Sequence, residues 1–224
     1  MTVTRPVEPP APLRIALRPL ASPLALGFFG LAGATVVVSG YQLGWVDPDE
    51  STAVALCLLG FTVPLQFTAS IISFHARDAV AATGMGLLSG IWAAIALVTL
   101  NDEPAATSDA LGLLLLVGGV AIWAPAAGAA VGKLVPAAVL ALAGIRFFVT
   151  GIYQLTADEA YEDAAGLVGL GLAGLALYAA YAAELEDVLE RPLLPLGRRS
   201  AHARAVSDEG TAAIMREPGI RREL

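Results

Sequence analysis

The sequence predicts an all-α integral membrane protein with six transmembrane helices and both termini on the cytoplasmic side. Three observations predict it. Apolar residues make up 57% of the 224 and charged residues only 15%, with a mean hydropathy of +0.71, far from the balance a soluble domain needs to fill one core. Six apolar stretches each reach the roughly 20 residues that a helix needs to cross hydrocarbon, where no water is present to satisfy the backbone. Lysine and arginine are confined to alternate connections between those stretches.

Residues 1–19 carry Arg5, Arg14 and Arg18 among several prolines. They lack the small-residue cleavage pattern that follows the apolar part of a signal peptide, so the first span is expected to be retained. That span runs from Pro23 to Trp45, and acidic Asp47, Asp49 and Glu50 follow it. The second, Thr52 to Phe74, includes Pro64 and the single cysteine, Cys57, which excludes an intrachain disulfide. A short turn with His75, Arg77 and Asp78 leads into the third span, Ala79 to Leu100, where Ala82, Gly86, Gly90 and Ala94 recur at every fourth position. Such small-residue stripes let helix backbones approach closely in lipid. Asp102, Glu103 and Asp109 precede the fourth span, Ala110 to Val131, which contains Pro125. Lys133 separates it from the fifth, Leu134 to Leu155. Asp158, Glu159, Glu162 and Asp163 then lead to the sixth, Ala165 to Leu185, with a second stripe at Gly169, Ala173, Ala176, Ala180 and Ala183. The organisation is therefore a cytoplasmic segment 1–19, a six-helix domain over 20–190 and a cytoplasmic tail over 191–224. The tail's mixture of proline, glycine and like charge predicts disorder.

Twelve of the thirteen basic residues lie before the first span, in the turns at Arg77 and Lys133, or after the sixth span; the thirteenth is Arg146. The alternate loops hold ten acidic residues and no basic one, which places them outside a plasma (inner) membrane that the chain crosses several times. The net charge of −7 thus describes two sides of a membrane and implies no nucleic-acid partner. The sequence has no GxSxG elbow, P-loop or HExxH motif and no Cys/His cluster, so it suggests neither an enzyme nor a bound metal or cofactor.

Three groups of residues resemble the acetate uptake transporters, the family of the bacterial succinate-acetate permeases. Before and within the first span, Ser22, Pro23, Leu24, Ala25 and Leu26, followed by Phe28, Phe29 and Gly30, follow the frame of the family's Asn-Pro-Ala-Pro-Leu-Gly-Leu and Gly-Phe-Gly. Gln66, Ala69 and Trp92 match the family's Gln, Ala and Trp without a gap, while Ser73 replaces a glutamate and Leu87, Leu88 and Ser89 replace Ser-Tyr-Gly. At the end, Glu186, Asp187, Arg191, Leu194, Pro195 and Gly197 resemble an acidic pair, an arginine and Leu-Pro-x-Gly. The resemblance covers residues 20–198. It implies a six-helix subunit with its own pore, assembled as a homohexamer in the lipid bilayer. The subunit would carry acetate or a similar small carboxylate, as the anion or its protonated acid, together with protons. It also implies a constriction at Phe29, Leu88 and Leu142, where an aromatic hydroxyl of the family has become the aliphatic Leu88.

Arg146 is not supplied by that resemblance. It lies about 18 Å along the fifth span from Leu134 at 1.5 Å per residue, with no Asp or Glu at that depth. An arginine there costs on the order of 2.5–3.5 kcal/mol to insert, so it should face protein or water. Two readings follow: a structural donor to carbonyls freed by Pro64 or Pro125, or an anion contact one turn from Leu142. Gln66 and Thr150 are the accompanying polar candidates, Gln66 because a side-chain amide cannot satisfy itself. With no intramembrane carboxylate, a channel-like path or co-permeation of the protonated acid is favoured over a carrier that binds protons on its own side chains. Channels for other small solutes and a non-transporting membrane scaffold remain as alternatives.

Overall fold

The computed structural model describes residues 20–189, 191 and 193–199. Six helices long and apolar enough to cross a membrane account for most of them: α1 (Leu24–Gln42), α2 (Pro48–His75), α3 (Ala79–Asn101), α4 (Asp109–Gly132), α5 (Leu134–Thr156) and α6 (Glu159–Leu189). Each begins or ends where local chemistry stops a helix. Asp78 caps α3 by accepting from the Ala81 amide at 3.0 Å, and Ser108 caps α4 by accepting from Leu111 at 3.4 Å. Arg77 and Ala157 take left-handed backbone angles after α2 and α5. Helix α2 is irregular. It opens with a 3₁₀ turn and widens to a π turn over Leu58–Thr62, just before Pro64, whose ring crowds the preceding turn and whose nitrogen has no hydrogen to donate.

The helices pack as a closed ring in the order α1, α6, α5, α4, α3, α2 and back to α1. The α1–α6 seam uses the sixth-span stripe, with Gly169, Ala173, Ala176, Ala180 and Ala183 all buried. The α4–α5 seam is closer still. A Cβ on Gly144 would lie 2.7 Å from the Gly119 carbonyl oxygen, so these two backbones touch only because both positions are glycine. Small polar side chains fasten α2 to its neighbours: Thr62 donates to Gly30 O at 3.0 Å, Ser70 to Ala82 O at 2.7 Å and Ser89 to Val63 O at 3.1 Å. The third-span stripe behaves differently, because Gly90 faces out with nothing close to it. Large apolar side chains such as Phe61, Phe67, Phe74 and Val117 are exposed on the outside of the ring, as suits contact with lipid.

At the end that carries Lys133, the chain beyond α6 folds back onto the start of α5. Leu134 N donates to Gly197 O at 3.1 Å, Val135 N to Leu196 O at 3.2 Å and Arg199 N to Gly132 O at 2.9 Å. Leu196 is buried, Tyr178 donates to Pro195 O at 2.9 Å, and Arg198 pairs with Glu186. The remainder of the expected tail and the segment 1–19 lie outside the described residues.

Candidate transport pathway

A ring of helices encloses an axis, and two cavities lie along it. The first opens at the end with the basic turns. It has a volume of about 240 Å³ and is lined by Leu24 and Phe28 of α1, Asp78 before α3, Met85 of α3, and Lys133 and Leu140 at α5. The second, of about 80 Å³, opens at the acidic end. Its lining includes Tyr41 and Gln42 of α1, Asp102 and Glu103 after α3, Arg146, Thr150 and Tyr153 of α5, and Glu162 of α6.

Between them stands an apolar septum. Along α1 the first cavity ends at Phe28 and the second begins at Val38; the corresponding limits are Met85 and Ile95 on α3, and Leu140 and Arg146 on α5. That interval is about 9 Å of helix rise on α5 and about 15 Å on α1 and α3. The side chains within it, Leu31, Leu88, Trp92 and Ala143, are fully buried.

The residues singled out from the sequence fall at different places on this path. Leu88 lies in the septum and is fully buried. Phe29 is only half-buried and lines neither cavity; its ring meets Tyr181 of α6 edge-on, centroids 5.3 Å apart. The neighbouring Phe28 is the phenylalanine that reaches the first cavity. Leu142 is also half-buried and lines neither cavity. Gln66 is fully buried in the α1–α2 seam, where Nε2 donates to Gly27 O at 3.4 Å and Oε1 has no partner. Thr150 lines the second cavity, although its hydroxyl donates back to Arg146 O at 2.9 Å.

Arg146 is fully buried and lines the second cavity with Thr150. Its Nη2 donates to Gln42 Oε1 at 3.1 Å, and its guanidinium carbon lies 5.2 Å from the centre of the Trp92 ring. Trp92 in turn packs edge-on against Phe147, 5.1 Å away. The Arg146 Nε and Nη1 have no hydrogen-bond partner, and neither does the nearby Ser39 hydroxyl. Gln42 and Ser39 escape a search for isolated ionisable residues. Their signal is positional, because Thr35, Ser39 and Gln42 repeat at helical spacing on one face of α1.

Comparison with known proteins places this architecture. The family model described as the GPR1/FUN34/yaaH family matches residues 7–188. No curated protein matches the chain. Among solved structures, the bacterial acetate channel SatP superposes with a TM-score of 0.70 at 22% identity, covering 80% of this chain and 99% of that one, a likeness of fold. With the family model spanning all six helices, the chain belongs to the GPR1/FUN34/yaaH family.

Proposed function

We propose that this protein conducts acetate or a similar small carboxylate across the plasma membrane, by a path through the centre of each subunit. The observation that carries this reading is the pair of axial cavities separated by an apolar septum. Family membership and the fold shared with an acetate channel give the path its substrate class. The septum side chains Leu88 and Leu31, with Phe28 at its inner edge, exclude water at rest and set the size of what passes. Of the constriction that the family resemblance assigned to Phe29, Leu88 and Leu142, this reading keeps Leu88 and puts Phe28 and Leu31 in place of the other two. The basic end faces the cytoplasm, from the partition of lysine and arginine. Among the described residues no Asp or Glu is buried in the septum, so a proton moves with the acid or by way of the cavities rather than on a septum carboxylate. Exposed apolar faces on α2 and α4 serve lipid and neighbouring subunits of a homohexamer.

The test is uptake of labelled acetate into proteoliposomes containing the full-length protein, at two external pH values. Protein-dependent, saturable flux is expected. It should be faster at the lower pH if the proton travels with the acid. Flux no greater than in protein-free vesicles at both pH values would remove the reading and leave a membrane scaffold.

A further inference from the structure

We propose that Arg146 and Gln42 form a binding site for a small monovalent anion at the inner end of the acidic-end cavity. For the carboxylate as its occupant this rests on the transport reading above; the site itself does not.

A guanidinium buried in a membrane protein needs a counter-charge or a full set of acceptors. Arg146 has neither. Its one hydrogen bond goes to the neutral amide of Gln42, and it takes part in no ion pair among the described residues. Trp92 covers a face of the group at 5.2 Å, but a ring face does not accept the in-plane N–H donors. Nε and Nη1 are left over, and Ser39 Oγ is left over beside them. Arg146 Nε and Ser39 Oγ meet at one point of α6. A Cβ placed on Gly169 would lie 2.5 Å from Arg146 Nε and would collide with Ser39 Oγ. The absence of a side chain at Gly169 lets Arg146 and Ser39 pack against the α6 backbone, and the unpaired guanidinium donors remain without acceptors. A carboxylate or a halide supplies what they lack, acceptors with one negative charge.

The charge of the ligand follows from the rest of the cavity. Asp102 and Glu103, between α3 and α4, and Glu162 of α6 line the same space, together with Tyr41 of α1 and Tyr153 of α5. An arriving anion passes these carboxylates before reaching Arg146, and their repulsion grows with its charge. A monoanion is penalised once and then compensated by the guanidinium; a dianion is penalised twice for the same compensation.

The experiment uses purified full-length protein in detergent at neutral pH and constant ionic strength. Thermal unfolding is followed in sodium acetate, sodium chloride and, as a bulky reference, sodium gluconate. Acetate, chloride or both should raise the midpoint saturably over gluconate, and competition between them identifies which the site prefers. Gln42→Glu gives Arg146 a resident carboxylate. It should therefore be at least as stable as the parent in gluconate and should lose the dependence on anion. In proteoliposomes Gln42→Glu should raise the half-saturating acetate concentration by about tenfold, the effect of losing one charge-assisted contact. An anion dependence equal in Gln42→Glu and the parent, or missing from the parent, overturns the site. If the parent carries no carboxylate yet keeps an anion dependence that Gln42→Glu abolishes, the transport reading fails and the site stands. Carboxylate flux that is unchanged in Gln42→Glu, without any anion-dependent stabilisation, does the reverse.

Discussion

Two adjacent phenylalanines show how finely a pathway is assigned at the scale of a residue. Phe28 and Phe29 are about 100° apart around α1, enough to send one ring to the axis and the other to the α6 seam. Phe28→Ala should therefore enlarge the inner edge of the septum and let longer monocarboxylates compete with acetate. Phe29→Ala should leave selectivity alone and remove an edge-on aromatic pair with Tyr181, worth about 1 kcal/mol. Competition of propionate and butyrate against labelled acetate, alongside the thermal midpoints, distinguishes the two. If Phe29→Ala alone changed selectivity, the septum would have to be redrawn around Phe29. Gln66 illustrates the same lesson in a polar residue: its Nε2 donates to the Gly27 carbonyl within a helix seam while Oε1 has no partner, and it lines neither cavity.

Among the elements, the segment after α6 is the least expected from sequence. Proline, glycine and charge at 191–199 suggest an open tail, yet the same residues make a short strap. Pro195 offers a carbonyl to Tyr178, Gly197 turns with φ +66°, and backbone pairing with Gly132, Leu134 and Val135 follows. Gly197 is held there by two demands at once, a left-handed angle and a Cβ position only 2.8 Å from the Leu134 Cβ. Gly197→Ala should cost about 1–2 kcal/mol from the backbone angle and the clash. It should also loosen the start of α5, seen as a lower thermal midpoint and faster proteolysis after α6. An unchanged midpoint would mean that the strap contributes nothing to the fold. Helix α2 makes the complementary point: its π turn at Leu58–Thr62 lies just before Pro64, which the sequence marks only as a residue that frees a carbonyl.

For the whole molecule the governing feature is a closed ring of helices with opposite charge at its two ends. In a Cys57→Ser background, cysteines placed at Asp49, Glu103 and Asp163 should react with an impermeant thiol reagent added to intact cells, and one at Arg199 should react only after lysis. The expectation rests on the confinement of lysine and arginine to one end. Labelling of the Arg199 site from outside would invert the orientation and exchange the roles of the two cavities. The two mouths also differ in lining. Three carboxylates stand at the acidic mouth, whereas Lys133 and Asp78 stand together at the other, so entry and exit meet different fields.

The sequence by itself determined the number of spans, their order and their limits to within four residues, except that the sixth helix begins six residues earlier than expected, because insertion into hydrocarbon is decided segment by segment through local hydropathy and flanking charge. It also marked Arg146 as exceptional, since a lone charge at that depth is legible without any neighbour. The faces of the helices were decided only by the tertiary structure. Lipid and the bundle interior are both apolar, so the pattern that separates core from surface in a soluble helix is nearly silent here, and Gly90 could point outward while Gly169 pointed in. Which residues met Arg146 was beyond reach for the same reason: Gln42 lies 104 positions away, and only the ring packing of α1 against α6 and of α6 against α5 brought Gln42, Ser39 and Gly169 to one guanidinium.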